Sequence, residues 1–240
     1  MNAITLTIPR LSAEGFLELC KANQDLQLEL TATGEVIIMP PTFSWTGKQN
    51  SGLNAQLWNW NDKAGLGIVF DSSTGFTLPN GAVRSPDGSW VSNERWEALT
   101  EIQQREEFSP ISPDFIVELR SSSDSLKKLR EKMQEYIDNE VRLGLLIDFT
   151  TKQVWIYRQG QDVEMLESPA TLSGEGVLPG FVLDLNKVWW NAMEFETRYK
   201  SHLRWTNSAR LIVSGGGFPF PTPDGQSHYP DTGGYWMYLR

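Results

Sequence analysis

The alternation of apolar and polar positions divides roughly the first 190 residues into helical and extended segments. Leu11-Ser12-Ala13-Glu14-Gly15-Phe16 has the form of a helix start, with Ser12 as N-cap and Leu11 and Phe16 at the spacing of a hydrophobic staple. Leu26, Leu28 and Leu30 alternate with polar residues, Thr33-Gly34 turns the chain, and Val36 to Met39 returns. This predicts a hairpin, ended by Pro40-Pro41. Leu53, Leu57, Trp60 and Ala64 recur at helical spacing and predict a helix over 52–64. Residues 67–70 and 75–78 read as short strands, Asn80-Gly81 as a turn, and 83–91 as an extended segment carrying Ser85-Pro86-Asp87. The charged stretch 94–107 predicts a surface helix ended by Pro110 and Pro113.

Residues 114–120 give the clearest strand, because Phe115, Ile116 and Val117 form the continuous apolar run of a strand covered on both faces. After the polar loop 121–125, residues 126–140 are amphipathic, and 143–147 and 154–157 read as further strands. A strand, a helix and a strand over 114–148 imply a parallel pair with a crossover helix. The class is therefore α/β, with a core in the order helix, mixed sheet, helix, strand, and with an added N-terminal helix and antiparallel hairpins. The segment 179–185 closes the regular pattern. Residues 191–240 are dense in glycine and proline and read as an atypical C-terminal tail, poorly ordered or loosely packed, which makes 1–190 the expected domain.

Composition narrows the chemistry. No apolar run is long enough to span a membrane, and residues 1–10 lack the pattern of a secretory signal. Cys20 is the single cysteine, which excludes an intramolecular disulfide and a cysteine-rich zinc site. A cytoplasmic protein is expected. The two histidines are His202 and His228, so residues 1–190 cannot build a Ser-His-Asp triad or a histidine general base. Chemistry there must use carboxylates, lysines, hydroxyls or a bound cofactor. The net charge of −9 opposes nucleic-acid binding, which is driven by Lys and Arg. A nuclease, however, needs only a local basic stripe.

Three residues stand out. Asp87 follows a proline that cannot donate to a sheet ladder, so it lies at a bend or an edge and can face a cleft. An aspartate in a turn before Gly88 is the plainer reading. In the 114–120 strand, Phe115, Val117 and Leu119 share one face, and Ile116, Glu118 and Arg120 share the other. A charge at the end of an apolar strand is costly unless paired or bound to metal, and Arg120 is a candidate partner for Glu118. On the helix that follows, the apolar stripe is Leu126, Leu129, Met133, Tyr136 and Ile137. Lys132 falls beside that stripe, whereas Lys127 and Lys128 project away. Lys132 can extend its ammonium toward the sheet or snorkel to the surface, and Glu131 and Glu135 are expected to be solvated. Two carboxylates and a lysine can hold a divalent cation and offset charge on a phosphate.

Several segments together resemble one family, the Uma group of restriction endonucleases within the PD-(D/E)XK nuclease superfamily. They are Gly34-Glu35-Val36 through Met39-Pro40-Pro41, Val69-Phe70-Asp71-Ser72-Ser73-Thr74-Gly75-Phe76, Arg84-Ser85-Pro86-Asp87, Pro113-Asp114-Phe115-Ile116-Val117-Glu118-Leu119-Arg120-Ser121, Glu131-Lys132-Met133 with Tyr136, and Leu146-Ile147-Asp148. Pro179 to Leu185 resembles the family's closing segment. The pattern covers roughly residues 5–190, and it is specific as a combination rather than piece by piece. The resemblance implies a restriction-endonuclease-like fold and Mg²⁺- or Mn²⁺-dependent hydrolysis of DNA, with Asp87 and Glu118 as metal ligands. The superfamily's lysine is expected two residues after the glutamate, where this chain has Arg120, an auxiliary residue at most. In this family the lysine moves to the following helix, which matches Lys132. Relatives are often dimers, so a homodimer is implied.

The chain departs from the family in two places. Trp45 stands where relatives carry an acidic or histidine residue, and the tail from 191 lies outside the resemblance. Trp45 and the acidic charge leave room for a catalytically inactive binding or scaffold protein on the same fold. A carboxylate hydrolase acting on sugars ranks last. Ten tryptophans suggest it, but no pair of carboxylates facing across a cleft is singled out.

Overall fold

The computed structural model describes residues 4–8, 11–121 and 124–189, and the tail expected at 191–240 lies outside these residues. In chain order the elements are β1 (Ile4–Thr7), α1 (Ala13–Ala22), β2 (Gln27–Leu30), β3 (Glu35–Met39), α2 (Ser44–Ala64), β4 (Gly67–Asp71), β5 (Phe76–Thr77), β6 (Val83–Arg84), β7 (Gly88–Ser92), α3 (Asn93–Glu97) and α4 (Glu101–Arg105). Then follow β8 (Phe115–Arg120), α5 (Leu126–Asp138), β9 (Leu143–Asp148), β10 (Gln153–Arg158), β11 (Glu164–Glu167), β12 (Thr171–Ser173) and β13 (Val182–Asp184).

The mixed α/β architecture is as expected. A six-stranded sheet runs β11-β10-β9-β8-β7-β4, a five-stranded sheet runs β1-β3-β2-β6-β5, and β12 and β13 form a hairpin. β8 and β9 are parallel, joined by α5, and the other pairs of the six-stranded sheet are antiparallel. Every residue of β9 and all of β8 except Arg120 are buried, as their apolar runs require. The two faces of β8 separate as alternation predicts. Phe115, Val117 and Leu119 enter a core with Leu53, Leu57, Leu145 and Phe181, and Ile116 packs with Met133 and Tyr136 of α5. Ser12 caps α1 by accepting from the Gly15 amide, and Ser125 caps α5 by accepting from the Lys128 amide.

The strands β1, β11 and β12 were not expected, and three expected elements differ in extent or placement. α2 begins at Ser44, not at residue 52, and the apolar stripe missed its first two turns because the stripe is continued there by a polar residue, the buried Gln49. The charged stretch 94–107 holds two short helices instead of one, the second started by a capping box at Thr100 and Gln103. The extended segment 83–91 is divided between the two sheets. Ser85-Pro86-Asp87 is the passage from β6 in one sheet to β7 in the other, consistent with a proline that cannot donate to a ladder.

Candidate metal and phosphate site

Where the chain crosses between sheets, a cleft of about 240 Å³ opens, and Asp87, Glu118 and Lys132 all line it. Asp87 immediately precedes β7, and the register sets Gly88 opposite Val117, so Asp87 lies beside Glu118 and Leu119. The Leu119 amide donates to Asp87 Oδ2 at 2.7 Å. The Asp87 carbonyl accepts from Asn54 Nδ2 of α2 at 2.9 Å. Gly88 is not a turn residue. A Cβ there would lie 2.6 Å from Asn54 Oδ1 and 3.1 Å from Val117 Cγ1, so glycine is what lets α2 close on the strand that carries Asp87.

Glu118 is 4 % exposed. Its Oε1 lies 2.7 Å from Lys132 Nζ and accepts from the Tyr136 hydroxyl at 3.0 Å. Both contacts end on Oε1, so Oε2 carries neither of them. The geometry of α5 explains them. Lys132 sits one turn before Tyr136, and both reach the face of β8 that Ile116 begins. Lys132 is therefore drawn inward and does not snorkel. It also lies 2.9 Å from Glu29 Oε1 of β2.

The electrostatics follow from burial. Burial first, and the neighbouring Glu118 charge second, push Asp87 up to about 7 against the pull of the Leu119 amide and Lys132. Burial likewise raises Glu118, opposed by Lys132 and reinforced by Glu29. Burial alone would raise Glu29, but Lys132 and Arg84 outweigh it and hold it below its ordinary value. Burial would lower Lys132, and Glu118 and Glu29 overcome it, so Lys132 titrates above an ordinary lysine. The lysine stays charged.

Arg120 is not part of this set. Its guanidinium pairs with Asp148, and its Nε donates to the Asp124 carbonyl at 3.2 Å. The register sets Arg120 directly opposite Asp148 on β9, a nearer partner than Glu118 two residues along the same strand. Arg120, a candidate partner for Glu118 in the sequence, pairs elsewhere, and Glu118 takes Lys132 instead. Glu135 is also not solvated: it accepts from Arg84 Nε at 2.7 Å and from Asn80 at 3.1 Å. Glu131 is exposed as expected. Trp45, 39 % exposed with the Lys48 ammonium 4.3 Å from its ring centroid, is not in the cleft wall, which Phe43, Thr46 and Asn50 of the same region form.

Glu29, Arg84 and Tyr136 were not read from the sequence as site residues. Glu29 looked like the polar member of an alternating strand, and only long-range partners, Arg84 on the neighbouring strand and Lys132 on α5, meet it in its buried position. Tyr136 looked like one more apolar stripe residue.

Among the described residues no group of three or more His, Cys, Asp or Glu is placed to hold a metal ion. Two carboxylates nevertheless fit a small hard cation, because magnesium keeps several waters and is commonly held by one or two carboxylates. The observation favouring that fit is the crowding of Asp87 and Glu118, each raised by burial and Asp87 by its neighbour's charge, a cost that a cation between them would relieve. Among the described residues no helix is long and apolar enough to cross a membrane.

Residues 13–186 match the model of a family described as "Uma2: Putative restriction endonuclease". Among solved structures, the chain is similar to a nuclease, described as putative, from Anabaena variabilis, with a TM-score of 0.58 and 18% identity over 68% of this chain and 89% of that one. That likeness supports a restriction-endonuclease-like fold. A chain of the DrdV–DNA complex also aligns, with a TM-score of 0.32 and 14% identity over 68% of this chain and 15% of that one, too weak a likeness to carry an argument. No curated protein is significantly similar in sequence.

Proposed function

From the premise that this chain belongs to the Uma2 family, we propose that it is a divalent-metal-dependent endonuclease that hydrolyses phosphodiester bonds in DNA. The observation that carries this reading is the meeting of Asp87, Glu118 and Lys132 in one cleft. Asp87 and Glu118 would hold a magnesium or manganese ion, which when bound polarises the scissile phosphate and lowers the pKa of an attacking water. Lys132 supplies a permanent positive charge at the cleft, where it offsets negative charge gathering on the phosphoryl oxygens. The Leu119 amide fixes one oxygen of Asp87, and Tyr136 fixes one of Glu118, so both carboxylates keep their second oxygen for the cleft. Arg120 braces the end of β8 through Asp148 and has no part in the chemistry.

Assembly as a homodimer and a cytoplasmic location belong to the same reading. Light scattering on the purified full chain tests the first. For the activity, plasmid and linear DNA are incubated with the full chain and Mn²⁺. Cleavage that stops in Glu118→Ala is expected, and cleavage that persists in that variant sinks the site assignment. A wild-type chain that binds Mn²⁺ but cleaves neither DNA form would favour the inactive scaffold.

A further inference from the structure

We infer that Glu29 is a positioning residue of this site, holding Lys132 and the segment that carries Asp87 in place together. The inference rests on the nuclease reading above. Glu29 belongs to β2, in the other sheet from β7 and β8, and is 2 % exposed. Leu28 and Leu30 point into the small core around Phe16, so alternation turns Glu29 to the opposite face.

Its two oxygens are occupied differently. Oε1 accepts from the Ser85 amide at 3.0 Å and from Lys132 Nζ at 2.9 Å. Oε2 accepts from Arg84 Nη1 at 3.1 Å. Arg84 in turn reaches Glu135 on α5 at 2.6 Å. One carboxylate oxygen thus ties the backbone two residues before Asp87 to the ammonium beside Glu118. A pair that served stability alone would need only Glu29 and Arg84, and apolar residues could replace both. The shared oxygen has a second consequence. A cation on Asp87 and Glu118 repels the Lys132 ammonium that now sits on Glu118. Glu29 is the counter-charge that keeps the lysine at the cleft when Glu118 gives it up.

Glu29→Gln in the full chain keeps the shape and removes the charge. Without metal, Lys132 is followed by labelling with an amine-reactive ester and peptide mass spectrometry. Labelling about tenfold faster than in the wild type is expected, and an unchanged rate overturns the inference. The Mn²⁺ dissociation constant is expected to weaken by roughly 10- to 100-fold, the scale of losing an outer-shell partner, because Lys132 is left with Glu118 as its paired counter-charge and competes with the cation for it. In a Lys132→Met background the same substitution is expected to leave Mn²⁺ affinity nearly unchanged, because no lysine then competes for Glu118. An equal weakening in both backgrounds marks Glu29 as merely structural. Where Glu29→Gln fails to fold, Glu29→Asp keeps the charge but cannot reach Ser85 and Lys132 together, and smaller effects of the same sign are expected. A wild type that cleaves DNA alongside an unaffected Glu29→Gln defeats this inference alone. A wild type that neither binds Mn²⁺ nor cleaves defeats the nuclease reading, and the labelling result still decides whether Glu29 holds the lysine.

Discussion

The two faces of β8 are equally buried and differ in every other respect. Leu119 on one face and Glu118 on the other are both 4 % exposed. The Leu119 face packs into an apolar core with side chains from α2, β9 and the C-terminal hairpin, and its energy comes mainly from area removed from water. The Glu118 face begins the same way at Ile116 and then turns ionic. There each charge must find partners on another element: Glu118 on α5, Arg120 on β9, Lys132 on β2. The lesson is that burial does not distinguish core from site. What distinguishes them is whether the groups satisfy one another fully, as at Arg120 and Asp148, or remain crowded with like charges, as at Asp87 and Glu118.

Substitutions on each face should separate stability from chemistry. Lys132→Met is expected to have the largest effect. Turnover should fall about 10²- to 10³-fold, the scale for losing one preorganised stabiliser of transition-state charge. The metal-free protein should lose about 3–5 kcal/mol in urea unfolding, because two buried carboxylates lose their shared partner. Phe115→Ala on the apolar face should cost about 3–5 kcal/mol in the same assay, with Mn²⁺ affinity of the folded protein unchanged. Weakened metal binding there would mean that the two faces are coupled through the strand.

Asp87→Asn is expected to stabilise. Burial and the Glu118 charge raise Asp87 from 3.8 to about 7. The folded chain therefore holds a proton that the unfolded chain has released between those two values, and stability falls as pH rises through that window. Asp87→Asn removes the dependence, so the variant should exceed the metal-free wild type by about 4 kcal/mol at pH 8 and match it below pH 4. Thermal melts across that range check the sign. Arg120→Gln should have the smallest effect on turnover, while costing about 1–3 kcal/mol of stability, because the buried Asp148 loses its charged partner and is left with the Thr150 and Thr151 amides. A large loss of turnover would return Arg120 to the site.

Much of this contrast was legible in the sequence. The apolar run from Phe115 and the helical stripe of α5 set the parallel pair and its crossover, and alternation put Glu118 on the face that α5 covers. The angular position of Lys132 beside its stripe was enough to select it over Lys127 and Lys128. The remaining features depended on long-range pairing, which no local pattern encodes. Glu29 and Arg84 lie 55 residues apart and meet only because β2 and β6 are neighbours. Arg120 chose Asp148 through the register of β8 on β9, information held in neither strand alone. The first two turns of α2 were missed because Gln49 is polar yet buried, so hydrophobic periodicity stopped one step short.

Under the nuclease reading Asp87 and Glu118 form one cation site. Calorimetric titration of the full chain with Mn²⁺ at pH 8 tests it most directly, beside Asp87→Ala and Glu118→Gln. A single binding event in the wild type, abolished by either substitution, is predicted. Mn²⁺ binding that both variants retain at wild-type strength would contradict it.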